Sequence, residues 1–440
     1  MERWKLSRYT KVIESDSKDV LLHNSFMGAI AQIPPQKSRK LKKYLKNGFK
    51  KTQLSDPDLK ELCENGFFVP SEIDEHQKVC ELLDHEREYG LHIIILPHEG
   101  CNFRCVYCYE KLKRGRMEAD IVNGIKALVE QKINDYNRFI VSWYGGEPLL
   151  ALDIIHELSD EFIDICDDVP YFSFLTTNGY LLTPDVVKSL LKRQVKGFQI
   201  TLDGYKFYHN KMRKLKNNKG TYDKIIDNLM EMRKIKGDFN VTIRINFNND
   251  TLPSMGNLFN EISPLAEDSR FNVYFRPVGK WGGDNDSNFD ICDRGFARLK
   301  IMEFNDNASK LGFSDQFLKQ YLMSQGNACF ASKESSLLVR SDGVLCKCLL
   351  GLDDPINNVG KLTKDGDLII NKKKWDLWTK LDDKDVSKCV DCWFFPSCQS
   401  RYCPLDTINN KKPSCPMTFA EYESMVKLVA SGRQEVGDEI

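Results

Sequence analysis

Between residues 92 and 276 six short apolar runs alternate with longer amphipathic stretches. The runs lie at 92–97, 139–143, 171–175, 197–202, 241–247 and 272–276. Between most of them apolar residues recur at helical spacing, most clearly at 121–133, 154–165, 184–191 and 222–232. Repeated strand-then-helix order leaves few folds open: the strands lie parallel and the helices pack outside the sheet. Six such units predict an α/β fold with a partial (β/α)6 barrel. Chemistry in that architecture belongs to the loops at the C-terminal strand ends.

The flanks read differently. Residues 1–90 form a small α+β unit by pattern. Residues 9–14 and 20–23 predict a hairpin around the polar Ser15-Asp16-Ser17-Lys18-Asp19 stretch. A basic amphipathic helix follows at 37–47, with Leu41, Tyr44 and Leu45 on one face. A second helix starts at Asp56-Pro57, where Asp caps and Pro takes the first turn, and ends near Gly66. Past about 315 the periodicity fades into short strands (337–339), a Ser341-Asp342-Gly343 turn and many cysteines. A segment this poor in apolar runs needs bound metal to hold it. The expected division is 1–90, a barrel at 91–310 and a cysteine-rich domain at 311–440.

A 440-residue chain with 41% hydrophobic and 29% charged residues can bury a sizeable core. Lys+Arg and Asp+Glu are equal at 63 each, so no charge excess points to nucleic acid or an anionic membrane. There is no run of 18 apolar residues and no apolar stretch with a small-residue cleavage site at the start, which makes the cytoplasm the default expectation. The 15 cysteines do not suit a disulfide framework in that compartment. Three fall within 101–108 and eight within 329–415, and clustered cysteines in a cytosolic chain read as metal ligands.

Cys101, Cys105 and Cys108 directly follow the first barrel strand, spaced C-x3-C-x2-C, with Tyr107 before the last. Iron–sulfur clusters normally take four thiolates, so three leave one iron open for a substrate or cofactor. The alternative is a zinc site that borrows a fourth ligand such as His98. The spacing resembles the signature of the radical S-adenosylmethionine (SAM) superfamily. That resemblance implies a [4Fe–4S] cluster whose open iron is chelated by the SAM amino and carboxylate groups, and whose reduction yields a 5′-deoxyadenosyl radical.

Further stretches carry the same resemblance. Gly145-Gly146-Glu147-Pro148, at the end of the second strand, resembles the motif for the SAM amino group. Thr176-Thr177-Asn178-Gly179 and Thr201-Leu202-Asp203-Gly204 resemble the next landmarks, although Asn-Gly and Asp-Gly are also ordinary turn pairs; Thr201 is either a SAM contact or part of such a turn. Arg213 resembles an arginine that holds the SAM carboxylate. Arg244 and Asn246 on the fifth strand either face the site or form a structural pair.

The later cysteines run Cys329-x13-Gly343-x4-Cys348, then Cys389-x2-Cys392-x5-Cys398-x4-Cys403-x11-Cys415. This resembles the SPASM domain, which binds two auxiliary [4Fe–4S] clusters and so brings the expected total to three. The family pattern implies one auxiliary cluster on Cys329, Cys348 and Cys403, and another on Cys389, Cys392, Cys398 and Cys415. Two departures stand out: the gap before Cys403 is four residues where three is usual, and Cys346 is additional. Cys346 either completes the first auxiliary cluster or leaves it with an open iron. The competing metal reading is a pair of zinc knuckles.

SPASM-type enzymes mostly act on peptides or proteins. The resemblance implies a peptide maturase, with thioether formation from cysteine sulfur to carbon as the leading expectation. Formylglycine formation in a sulfatase and carbon–carbon crosslinking are the alternatives. In the sulfatase group an aspartate follows the cysteine of the Gly-x4-Cys motif; here Leu349 follows Cys348, which counts against that reading. The N-terminal strands and helices resemble the leader-peptide recognition element of such enzymes, which adds a peptide strand to a sheet edge; a structural cap on the barrel is the alternative. A ferredoxin or flavodoxin is the implied electron donor. A non-catalytic metal-binding scaffold rests on cysteine richness alone. Cys63, Cys80, Cys166 and Cys292 read as packing thiols. The seven histidines show no ligand spacing, and Trp143, Phe172, Phe174, Phe198 and Phe247 read as strand core.

Overall fold

The computed structural model describes residues 2–15, 18–88, 90–280, 283, 286–288, 290–314, 316–380 and 389–431. The chain divides into two compact units, each assembled from segments far apart in sequence. One draws on Met1–Glu86, Asp315–Ser332 and Lys380–Ile440; the other on Arg87–Ser314 and Lys333–Thr379.

Among the described residues the first unit contains six strands: β1 (Arg3–Leu6), β2 (Thr10–Glu14), β3 (Val20–Asn24), β4 (Ala29–Ile33), β5 (Phe49–Lys50) and β6 (Phe68–Pro70). β5, β1 and β6 make one small sheet, and β2, β3 and β4 an antiparallel meander. The predicted hairpin is β2–β3, paired from Thr10↔Asn24 to Glu14↔Val20. The two predicted helices form at Pro35–Asn47 and Pro57–Glu64. Asp56 caps the second by accepting from the Asp58 N–H (3.1 Å). Leu41, Leu59 and Leu62 bury against Val20, Leu22, Phe49, Phe67 and Phe68, with Tyr44 and Leu45 at the margin. The helical face read from the sequence is therefore the face that meets the core.

The C-terminal part of the chain belongs to this same unit. Its helix Phe419–Ser431 packs on β3 and β4. The buried His23 of β3 meets the Tyr422 hydroxyl (2.8 Å, Nδ1) and the Leu322 carbonyl (3.1 Å, Nε2). With Nε2–H donating to that carbonyl, Nδ1 accepts from Tyr422.

The second unit is the barrel. Its parallel strands are β7 (Leu91–His98), β9 (Phe139–Gly145), β10 (Tyr171–Thr177), β11 (Val195–Asp203), β13 (Asn240–Phe247) and β14 (Phe271–Pro277). All six apolar runs are strands, neighbours in sequence are neighbours in the sheet, and the predicted helices lie between them. The short strands β8 (Phe103–Cys105) and β12 (Arg213–Leu215) form a separate antiparallel pair. On the β7 side the sheet continues through β15 (Ser336–Val339), β16 (Val344–Cys346), β17 (Gly360–Leu362) and β18 (Leu368–Ile370). β15 runs parallel to β7.

One face of the sheet is apolar: Ile93, Ile95, Val141, Trp143, Leu175, Ile200, Ile243 and Ile245 are buried. The other carries Ser142, Gln199, Thr201, Arg244 and Asn246, aligned by the registers Thr201↔Arg244 and Asp203↔Asn246. Phe198 and Phe247 are core residues as expected, but Phe172 and Phe174 are 48% and 47% exposed. They alternate with the buried Ser173 and Leu175 on β10, so they stand on the opposite face. A run read as uniformly apolar is a two-sided strand.

Candidate active site

The first cysteine loop leaves the end of β7 and is tied down on both sides. Upstream, the buried Glu99 accepts from Arg340 (Nε 3.1 Å, Nη2 2.5 Å) and from the Ser341 N–H (3.0 Å) and hydroxyl (2.8 Å). Arg340 also reaches Asp353 (2.9 Å) and the Leu352 carbonyl (2.6 Å). Downstream, the loop pairs with β12 in the register Arg213↔Cys105 and Leu215↔Phe103. That ladder explains why two residues more than a hundred positions apart, Cys105 and Arg213, share one site. The Phe103 N–H points at the Cys101 sulfur (3.3 Å).

The Gly-Gly-Glu-Pro stretch is laid against this loop. The Glu147 N–H donates to the Gly100 carbonyl (3.0 Å). A side chain at Gly146 would bring its Cβ within 2.5 Å of that same oxygen, and Gly145 has φ +128°. Both positions need glycine. Glu147 is fully buried, and its carboxylate accepts from the Leu149 N–H (3.1 Å), the Thr177 hydroxyl (2.7 Å) and the Asn178 N–H (2.8 Å). It binds the second strand end to the third. Burial nonetheless pushes its carboxyl up.

A cavity opens at these strand ends. Cys101, Cys105, Cys108, Tyr107, Gly145, Gly146, Thr201 and Arg213 line it, together with Arg244 and Asn246. Glu147 does not line it. The Tyr107 hydroxyl accepts from Arg213 Nη1 (2.7 Å) and Asn246 Nδ2 (3.0 Å), and Arg244 Nε donates to Asn246 (2.9 Å). Beneath, the buried Asp203 carboxylate faces Arg213, Tyr107, Asn246 and Arg244, and neither oxygen makes a well-formed hydrogen bond. Arg213 Nε is likewise unpaired. Burial opposes the Arg213 charge, while the Asp203 carboxylate and the hydrogen bond to the Tyr107 hydroxyl favour it. Orphaned buried polar atoms beside a cavity mark a place where a polar ligand is still to be received.

The three thiols are half-buried and none is a natural thiolate. Burial pushes Cys101 up to about 12 and Cys108 up to about 11, and raises Cys105 as well. Such thiols give up their protons when a cation takes their place. The donor set, three sulfurs on one short loop, fits a cluster with one site left over. Among the described residues, no group of three or more His, Cys, Asp or Glu closes tightly enough to hold a single metal ion.

Residues 95–259 match the family model described as the Radical SAM superfamily. These residues are a radical SAM domain. The chain is 28% identical over 172 residues to a cysteine-type anaerobic sulfatase-maturating enzyme of Clostridium novyi, covering 36% of this chain and 45% of that relative. The chain thus spans less than half the length of that relative. Among solved structures, native anSMEcpe with bound AdoMet and Cp18Cys peptide aligns with a TM-score of 0.56 at 18% identity, over 79% of this chain and 99% of that one. SuiB of Streptococcus suis bound to precursor peptide SuiA aligns with a TM-score of 0.50 at 15% identity, over 94% and 98%. The shared fold is the α/β barrel core, and a radical SAM domain is the catalytic core of an enzyme. The family brings with it a [4Fe–4S] cluster and SAM. No helix among the described residues is long and apolar enough to cross a membrane.

Outside the radical SAM domain the remaining cysteines divide between the two units. Cys389, Cys392, Cys398 and Cys415 lie close enough to perturb one another, all in the first unit. Cys329 and Cys403 are in that unit too, and the Cys329 N–H donates to the Arg401 carbonyl (2.9 Å). Cys346 and Cys348 are in the barrel unit. Cys346, fully buried on β16 opposite Leu338, is pushed up to about 12 by burial, with Arg340 and Glu99 nearby. The backbone of Cys348 is held by Asn357, which accepts from its N–H (3.0 Å) and donates to its carbonyl (2.7 Å).

Several participants carry no sequence signal. Glu99 and Arg340 are 241 residues apart, and only the β15–β7 pairing brings them together. His209, without ligand spacing, is a positioning residue. Its Nδ1 accepts from the Asp203 N–H (3.2 Å), so its Nε2–H donates to Thr221 (3.0 Å), whose hydroxyl donates to the Arg213 carbonyl (2.6 Å). Burial lowers its basicity well below the usual range, which keeps that chain of donors fixed.

Proposed function

We propose that this radical SAM enzyme is a peptide maturase that forms a thioether between a cysteine sulfur and a carbon of a ribosomally made peptide. The observation that carries the reading is the convergence of Cys101, Cys105, Cys108, Gly145, Gly146 and Arg213 on one cavity at the C-terminal strand ends. When bound, the cluster and SAM would supply a 5′-deoxyadenosyl radical that takes a hydrogen atom from a peptide carbon; the cysteine thiol would give up its proton as the carbon–sulfur bond forms, and the remaining electron would leave through an auxiliary cluster. The chain's own residues do the rest. Cys101, Cys105 and Cys108 hold the cluster. The Gly145-Gly146 backbone receives an ammonium group, and Arg213, fixed by Tyr107 and His209, receives a carboxylate. Thr201 presents a hydroxyl to the same cavity. The family pattern assigns Cys329, Cys348 and Cys403, with Cys346 as fourth ligand or an open iron in its place, to one auxiliary cluster. Cys389, Cys392, Cys398 and Cys415 make the other, and a ferredoxin or flavodoxin delivers electrons.

Two observations support a peptide substrate. The solved structures of similar fold were determined with a Cp18Cys peptide and with the precursor peptide SuiA. In the first unit, a groove runs beside β4, at the edge of its meander, with Ile30, Ile33, Leu41, Leu59 and Phe67 lining it. Lys37 pairs with Asp58 (2.9 Å) and Lys40 with Asp56 at its rim. An edge strand above an apolar floor suits a leader peptide added as a further strand, which supports the reading of residues 1–90 as a recognition region, 91–310 as core and 311–440 as the SPASM region. Formylglycine formation is the second reading; the sulfatase-maturating relative favours it and Leu349 weighs against it.

The test is anaerobic purification with iron and zinc counting, then SAM cleavage under reductant. Roughly twelve irons per chain and reductant-dependent 5′-deoxyadenosine are expected. Bound zinc without SAM turnover overturns the reading. Mass spectrometry of a co-expressed cysteine-bearing peptide then separates the outcomes: a loss of two hydrogens per link with fewer alkylatable thiols marks the thioether, and unchanged thiol counts sink it.

A further inference from the structure

The hairpin β2–β3 is docked on the segment that carries Cys389, Cys392 and Cys398. Arg8 Nη2 donates to the Val390 carbonyl (3.0 Å) and pairs with Asp391 (2.8 Å). The Ser25 hydroxyl donates to the Trp393 carbonyl (2.6 Å). Tyr9, Val79 and Phe395 form a shared core against which Cys389 and Cys392 pack. In the middle of this junction stands Lys11 of β2. Its ammonium lies 5.5 Å from the Trp393 ring centre and 6.0 Å from that of Phe419, and it is one of the charges felt by Cys392.

The four cysteines lie close enough to perturb one another, and Cys415 is exposed while Cys398 is buried. Burial pushes Cys398 up to about 12 and also raises Cys392, so each needs a cation to ionise. Backbone N–H groups point at two of the sulfurs, from Phe394 to Cys392 (3.4 Å) and from Ser400 to Cys398. Gln399 and Ser400 both adopt left-handed backbone (φ 52° and 60°), which turns the chain back over the sulfur. A cube held by four thiolates is anionic and becomes more so on reduction, so a fixed positive charge beside it favours the reduced state. The Arg8 charge is matched by Asp391. The Lys11 charge meets aromatic faces, which hold it without neutralising it.

We propose that Lys11 sets the reduction potential of the auxiliary cluster held by Cys389, Cys392, Cys398 and Cys415, so that the N-terminal hairpin is part of the electron-carrying apparatus. The proposal rests on the reading of those four cysteines as cluster ligands. Lys11 is a tuning residue: it touches the rings beside the ligands, not the substrate.

The experiment is a redox titration of the full-length holoenzyme followed by electron paramagnetic resonance, comparing the unaltered chain with Lys11→Met, Lys11→Gln and Lys11→Arg. Cys398→Ala identifies which signal belongs to this cluster. In Lys11→Met, whose stem keeps the packing over Trp393, the midpoint of that signal is expected to move at least 59 mV more negative, a tenfold fall in the one-electron reduction constant. Lys11→Gln should move it the same way and Lys11→Arg restore it, with the other midpoints unmoved. An unchanged midpoint in Met and Gln variants that retain full iron overturns the role of Lys11. Retention of every signal and all iron in Cys398→Ala overturns the ligand reading, and the proposal with it.

Discussion

The two cysteine groups are built on opposite plans. The Cys101–Cys108 loop carries three thiols and leans on distant parts of the barrel unit: β12 through Arg213, the second strand end through Gly146, and the β15–β16 turn through Arg340. The Cys389–Cys415 site carries four thiols, and its own segment supplies its turns, with Phe394 and Ser400 N–H groups aimed at the sulfurs. The first surrounds a cavity with unpaired polar atoms; the second is covered by aromatic rings and the hairpin on the Cys392 and Cys398 side, while Cys415 is exposed. An open site needs rigid outside support because a ligand must come and go without collapsing it. A site built by one segment needs only its own ligands and a partial cover.

The sharpest way to break that contrast is to delete one ligand from each. Cys105→Ala should abolish SAM cleavage, by more than about a thousandfold given that the chemistry depends on the cofactor, and lower iron by about four per chain. Cys398→Ala should lower iron by the same amount yet keep reductant-dependent formation of 5′-deoxyadenosine. Equal loss of SAM cleavage in both would show that the two sites are not separate in function.

Next in size is the support from the second strand end. In Gly146→Ala the new methyl meets the Gly100 carbonyl at 2.5 Å, so the loop must move. A displacement of that order in a reacting geometry costs on the order of a hundredfold. SAM cleavage should fall accordingly while iron bound at the four-cysteine site is unchanged. Normal turnover would mean that the Gly-Gly stretch does not shape the site.

How far the sequence reveals each plan follows from the same contrast. The six strands, the Cys101–Cys108 loop and the Gly-Gly stretch are legible because period and spacing are local properties. Arg213 is legible only by resemblance; the β8–β12 ladder that explains it pairs segments with no mutual signal. Glu99 and Arg340 are invisible in sequence, since a single Glu and a single Arg announce nothing until β15 lies beside β7. Phe172 and Phe174 mislead because an aromatic strand looks apolar whichever face it turns.

The Glu99–Arg340 pair gives a stability test of the outside support. Arg340→Met leaves the Glu99 carboxylate buried without its partner, which costs about 3–5 kcal/mol. Thermal unfolding should show a large drop in the melting temperature of the barrel unit. Hydrogen exchange should rise at 98–108, with little change at 389–398. Uniform loosening of both regions would show that the pair is a general stabiliser rather than the anchor of the open loop.

The smallest effect concerns the hairpin that covers part of the four-cysteine group and depends on pH. His23 is buried neutral, and burial lowers it to about 4 from an ordinary 6.5. Its folded value lies below its unfolded one, so the unfolded chain takes up the proton first and stability falls as the pH drops from about 6.5 towards 4. The full difference amounts to roughly 3 kcal/mol at one proton. Protonation would put a second N–H against the Tyr422 hydroxyl, which must turn to accept it, and a charge into a buried place. Hydrogen exchange in β2, β3 and the helix Phe419–Ser431 should therefore rise over that interval. His23→Gln, which has no proton to gain, should flatten the dependence while lowering stability at neutral pH. If the unaltered protein keeps the same protection in these elements down to pH 4, the hairpin is held on the cysteine segment by other contacts, and His23 contributes nothing to the cover.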